Sequence, residues 1–290
     1  MEMTKAFKVW HRNHKFILFQ GSMWFGTKTK KRLLAAGMAL RLASAVLARR
    51  SAGHGVRLFC VSSQKAAPTI AMVLAGSGVY DGSEVHEASA CLVHLSRAGA
   101  TVHCYAPDIK QMHVIDHTKG EPAEGESRGV LQESARIARG QIQNLSELDV
   151  SKADAVVVPG GFGAAKNLSS FGTEGAAMTV LPEMERVLRE FHAAGRPLAL
   201  CCIAPVLAAR LLPGARLTLG GRGQQWPYAG ALDVAAGWGA AVQECGVGEA
   251  CVDADNRLVT TPAFMYDTRQ FHLVFDGVGK MIDELMKMLN

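Results

Sequence analysis

The chain has 290 residues, 49% of them hydrophobic and 20% charged, enough to bury a sizeable core in one large domain or two small ones. Its seven cysteines form no C-x-x-C pair and no spacing suited to structural zinc, and their odd count argues against a disulfide scaffold. The formal charge of +5 is uneven: residues 1–66 hold 13 of the 31 Lys and Arg and only Glu2 of the 26 acids, which leaves 67–290 with a net −7.

From Met38 the basic part reads MALRLASAVLARRSAGHGVRLFCVSS, with Arg41, Arg49, Arg50 and Arg57 among small and apolar residues, frequent Ser and no acid. That is the composition of a mitochondrial transit peptide, placed at 38–60, rather than of a nucleic-acid-binding arm. Arg57-Leu58-Phe59 before Cys60 reads as a matrix-protease cleavage site, and residues 1–37 read as an upstream extension. No apolar run reaches the roughly 18 residues of a spanning helix, so membrane insertion is not expected. The compartment expected is the mitochondrial matrix, where thiols stay free.

Along the remainder, 69–78 (TIAMVLAGSG) is a short apolar run ending in Gly-Ser-Gly, and 84–98 has helical apolar spacing at Val85, Ala88, Cys91, Leu92, Val93 and Leu95. A strand over 100–107, a helix over 130–140 and a buried strand over 153–161 follow. Next come a helix over 182–195, a strand over 197–203 (PLALCCI) and a helix over 204–212. The chain closes with a hairpin over 250–263 and an amphipathic helix over 267–289. Apolar strands alternating with helices predict a doubly wound, mainly parallel α/β sheet covered on both faces. No repeat or linker divides 67–290, so the organisation expected is a basic extension, 1–66, and a single domain, 67–290.

In such a sheet ligands sit beyond the carboxyl ends of the strands. Three of those ends are chemically distinctive: Gly76 to Glu87, Pro159-Gly160-Gly161, and Cys202 to Pro205. Strand alternation sends Cys201 and Cys202 in opposite directions, so one of them, Cys202, faces the cleft. A strand-to-helix turn favours thiolate there, and Pro205 suits the first helical turn. The plain alternative is a pair of small core residues. Glu84 and Glu87 share a helix face, where one carboxyl reaches Cys202 as proton donor or base; the plain alternative is a pair of acids complementing the helix dipole. The Gly161 and Ile203 N–H groups are candidates for an oxyanion hole. His113, Asp116 and His117 lie in a long loop at the ligand edge, from which a lid brings His117 toward Cys202. Zinc is not expected, because His113 and His117 lack a third ligand. Trp226-Pro227-Tyr228 reads as a pocket wall centred on Trp226, or as packing.

Together GSGVYDGSEVHEA, PGGFGAAKNLS, LCCIAPVLAA and VTTPAFMYD resemble the ThiJ/PfpI superfamily of class I glutamine amidotransferase-like domains, and more narrowly its ElbB-like branch. The likeness covers about 67–290. It implies a flavodoxin-like sandwich with Cys202 as the elbow cysteine, Glu87 as its carboxylate partner, Gly161 and Ile203 as oxyanion amides, Glu84 at the rim, and a homodimer. The sequence departs from the superfamily's G-x-C-x-G elbow through Leu200 and Ala204, and it contains no H-x-E pair. Ile203 stands where the PfpI-type enzymes resemble one another in a histidine after the nucleophile, so a full-triad glutaminase or protease is not expected. The remaining Cys/Glu pair suits addition of a thiolate to a small reactive aldehyde, as in a cofactor-free glyoxalase-type lyase or hydratase. Two other classes stand beside it: a redox sensor oxidised at Cys202, and a noncatalytic domain that binds a small-molecule ligand. No metal, cofactor or nucleic acid is expected in any of the three.

Overall fold

The structure is a computed structural model that describes residues 66–290. The expected transit peptide at 38–60 and the extension before it lie outside the described residues. In chain order, β1 (Thr69–Val73) leads through α1 (Val85–Arg97) to β2 (Thr101–Ala106). A two-residue ribbon, β3 (Ile115–Asp116) with β4 (Glu121–Pro122), precedes α2 (Val130–Ile137) and β5 (Ile142–Asn144). Then come β6 (Ala155–Val158), α3 (Phe162–Lys166), α4 (Phe171–Glu174), α5 (Pro182–Ala193) and β7 (Leu198–Cys201). Helix α6 (Pro205–Leu211) is followed by β8 (Arg216–Leu217), α7 (Gly230–Gly237) and β9 (Ala241–Val242). The hairpin β10 (Cys251–Asp253) and β11 (Leu258–Thr261) leads into α8 (Phe271–Leu289).

Seven strands form one sheet in the order β10-β11-β7-β6-β1-β2-β5. All neighbours pair in parallel except β10, which runs antiparallel to β11 at the edge. This is the flavodoxin-like, doubly wound architecture that the alternation of strands and helices predicts. Strands β6, β7 and β11 are buried at every position, which requires cover on both faces and explains their unbroken apolar runs. Helix α1 packs against α2 and α8, whereas α5, α6 and α7 pack in series. Helix α8 buries Val274, Val278, Met281, Ile282 and Leu285, one stripe at helical spacing.

The chain leaves β1 for β2 on one side and later returns to β6 on the other. The order therefore reverses between β1 and β6, where such sheets open a crevice. The carboxyl ends of β1, β6, β7 and β11 are adjacent there, so four loops distant in sequence meet.

Several strands are shorter than the apolar runs suggest. The 153–161 run is extended only over Ala155–Val158, because Pro159-Gly160-Gly161 turns away; the 197–203 run stops at Cys201, because Cys202 adopts a left-handed backbone (φ 61). Helices α3, α4 and α7 were not predicted: the first two span five and four residues, and the third, GALDVAAG, is rich in glycine and alanine. Among the described residues no helix is long and apolar enough to cross a membrane.

Candidate functional site

Glu87 lies in the first turn of α1 with its carboxyl wholly out of water. Its Oε2 accepts the Gly160 N–H at 2.9 Å, and its Oε1 accepts the Phe264 N–H at 3.1 Å. One backbone donor thus comes from the end of β6 and the other from the turn after β11. The second is aimed by Ala263, a left-handed residue (φ 47) at the head of that turn.

Cys202 is only 7% exposed, and its N–H donates to the Thr261 carbonyl at 3.0 Å, which pins the elbow to β11. Its thiol hydrogen-bonds Glu87, while the N–H groups of Gly161 and Ile203 both donate to its sulfur. The residues expected to form one site, Cys202, Glu87, Gly161 and Ile203, therefore do meet. Gly160 has to lack a side chain, because a Cβ there would overlap Cys202 Cβ and lie 2.6 Å from Glu87 Oε2. Gly161 adopts φ 91 and ψ 160, a region open in practice only to glycine, and this turns its N–H toward the sulfur.

Burial, then the charge of Glu84, pushes the Glu87 carboxyl from 4.5 up to about 8. Burial, then the charge of Glu87, pushes the Cys202 thiol well above its ordinary value, against the pull of the two N–H donors. The expectation that the helix start favours thiolate is thus corrected: α6 is only seven residues long, and desolvation outweighs its partial charge. At neutral pH the pair holds protons and can deliver one.

The expectation that Cys201 and Cys202 diverge also needs correction. The left-handed turn breaks strand alternation, and the Cys201 thiol too reaches Glu87, at 3.7 Å from Oε2. Cys201 in turn hydrogen-bonds Cys91, which lies four residues after Glu87 on the same face of α1.

Three expected pocket residues take other places. Glu84 is a buried N-cap, 6% exposed, rather than a rim group: its Oε2 accepts the Glu87 N–H at 2.7 Å, and its Oε1 lies 2.8 Å from His86 Nδ1. The dipole-complementing alternative describes it better. His117 braces the loop after β1, with Nε2 3.3 Å from the Tyr80 nitrogen and Nδ1 3.0 Å from the Ile115 carbonyl. Trp226 packs on Gly220 and Gly221, and the residue of that stretch in electrostatic reach of Cys202 is Tyr228. The sequence reading centred the Trp226-Pro227-Tyr228 stretch on Trp226; the glycine pair at 220 and 221 was the signal for the packing of its ring.

No family model matches the chain. A rat protein named "ES1 protein homolog, mitochondrial" is 52% identical over 260 residues, covering 86% of this chain and 95% of the relative. The human "Glutamine amidotransferase-like class 1 domain-containing protein 3, mitochondrial" is 54% identical over 231 residues, covering 79% and 86%. The chain belongs to this ES1 family. Like the relatives that define the family, it is a mitochondrial protein. A crystal structure of an isoprenoid biosynthesis protein with an amidotransferase-like domain from Ehrlichia chaffeensis superposes with a TM-score of 0.71 at 32% identity, covering 77% of this ES1-family chain and all of that one. The fold of this ES1-family chain is thus that of the amidotransferase-like domain.

Proposed function

We propose that this protein is a cofactor-free, glyoxalase-type lyase or hydratase that uses Cys202 and Glu87 on small 2-oxoaldehydes. The observation that supports this most is the strained elbow. A non-glycine residue is held left-handed so that its thiol meets two backbone N–H groups and a wholly buried carboxyl. Such strain persists only where surrounding structure enforces it, and it gathers at functional sites.

In the reaction Cys202 Sγ bonds to the aldehyde carbon, and the thiol proton passes through Glu87 to the carbonyl oxygen, giving a hemithioacetal. Glu87 then gives its proton to the ketone oxygen of the neighbouring carbon and accepts the hydrogen of the hemithioacetal carbon as a proton, forming an enediol. It returns that proton to the neighbouring carbon and takes the hydroxyl proton of the sulfur-bearing carbon, which leaves a thioester of the 2-hydroxy acid and a protonated Glu87. Water cleaves the carbon–sulfur bond, releases the acid and restores the thiol. The sum is aldehyde plus water to hydroxy acid, with no external oxidant or reductant. The Gly161 and Ile203 N–H groups, which already face the sulfur, serve the oxyanion formed at the adjacent carbon. A carboxyl near 8 suits a group that gives and takes a proton close to neutral pH.

The test is lactate formation from methylglyoxal by the full chain without added thiol, followed by proton NMR. Turnover should fall at least about 100-fold in Cys202→Ala; turnover unchanged in that variant sinks the reading. A second reading, a noncatalytic ligand-binding domain, draws on the burial that holds the Cys202 thiol protonated, a state that also works against a redox sensor. It predicts saturable ligand binding without lactate. The proposal takes residues 1–66 as a removable extension ahead of a 67–290 domain, and it includes a homodimer, as the family resemblance implies.

A further inference from the structure

The stretch around Trp226 is built with more rigidity than a surface turn needs. A Cβ on Gly220 (φ 104) would overlap the Trp226 ring, and one on Gly221 would lie 3.1 Å from its Cε2, so the indole rests flat on a bare glycine pair. On its other side the indole meets Tyr266 at 5.0 Å between ring centroids. The neighbouring Gln225 carbonyl accepts the Asp267 N–H at 2.8 Å. Pro227 then fixes the backbone into Tyr228.

Tyr228 presents its ring edge-on to Phe162, 5.8 Å between centroids, and Phe162 follows Gly161, whose N–H faces the Cys202 sulfur. The Tyr228 hydroxyl makes no hydrogen bond among the described residues. It lies in the field of Cys202, with Tyr80 and Asp267 beyond, and burial pushes its titration up, so it remains a protonated donor. A half-buried hydroxyl on this braced stretch, with no protein partner and its ring against Phe162, is open to an acceptor that a ligand supplies.

We propose that the Tyr228 hydroxyl donates a hydrogen bond to the carbonyl oxygen of the compound seated on Cys202, making Tyr228 a further catalytic residue and selecting carbonyl-bearing ligands. This rests on the reading of Cys202 as the residue that engages the ligand. Trp226, Gly220 and Gly221 are then positioning residues, which act through Tyr228.

The experiment compares full-length wild type with Tyr228→Phe. Methyl methanethiosulfonate, which has no carbonyl, labels Cys202, and peptide mass spectrometry reads the rate with and without methylglyoxal as protectant. The expected result is that Tyr228→Phe needs about tenfold more methylglyoxal for half-protection, while its labelling rate without protectant stays within about twofold of wild type. Equal protection in both proteins overturns the inference, as does a parallel change in the unprotected rate, which would mark a structural role. Tyr228-dependent protection without lactate leaves the inference standing and removes the lyase reading. Lactate formation with no dependence on Tyr228 does the reverse, and methylglyoxal that fails to protect wild-type Cys202 overturns both.

Discussion

Glu87 has the most demanding environment of any ionisable residue in the site, and its behaviour follows from counting what surrounds its two oxygens. Two backbone N–H groups stabilise its charge, and burial beside Glu84 opposes it more strongly, so the carboxyl rises from 4.5 to about 8. Between those values the folded chain binds a proton that the unfolded chain has lost. The contribution of Glu87 to stability is therefore fully present below about 4.5 and is lost as pH rises through about 8. Glu87→Gln keeps the shape and removes the titration. Urea unfolding at a series of pH values should show the variant gaining on wild type across this window; a constant difference would contradict the assignment. Only the family resemblance singled out Glu87, whereas that one carboxyl of Glu84 and Glu87 reaches Cys202 was legible because both groups sit at predicted element junctions. The left-handed turn at Ala263 was not, since nothing in VTTPAFMYD marks an alanine for that conformation, and without it the Phe264 donor to Glu87 is invisible.

Helices α1 and α8 hold the Glu87 end of the site in place, and α8 uses glycine where helices usually avoid it, against the loop before β10 and against α1. A Cβ on Gly277 would run into the Val247 carbonyl oxygen, and one on Gly279 would lie 2.5 Å from the His94 ring. Two terms compete in Gly277→Ala: a propensity gain of about 1 kcal/mol, and an overpacking cost of ~1–3 kcal/mol against backbone that cannot rotate away. The second should win, lowering the urea midpoint, whereas a raised midpoint would mean that the helix shifts freely. Periodicity placed α1, α2, α5, α6 and α8 within a few residues, because each carries an apolar stripe or a Pro or Gly boundary. It missed α3 and α4, too short to show a period, and α7, whose small residues blur one. Strand ends were overrun wherever glycine or a left-handed residue ended an apolar run, and those ends are where the site lies.

Along the chain as a whole the charge changes sign, from +12 over residues 1–66 (13 basic less one acidic) to −7 over residues 67–290. Protein recovered from mitochondria should accordingly focus on the acidic side of neutrality, far from the 8.8 of the full sequence. Focusing near the full-length value would show that residues 1–66 are kept. Sheet order was not readable from the sequence, but alternation of element types was, and it sufficed to bring the loops after four strands to one edge. The elbow at that edge sets fold and thiol at odds. A left-handed residue with a Cβ carries a conformational penalty of about 1–2 kcal/mol that glycine would not, so the backbone at position 202 favours losing the side chain. A lineage kept only for the shape of this sheet would have an easy route to a bare, unreactive turn there. The chain carries sulfur there all the same, on one of four left-handed non-glycine residues among those described.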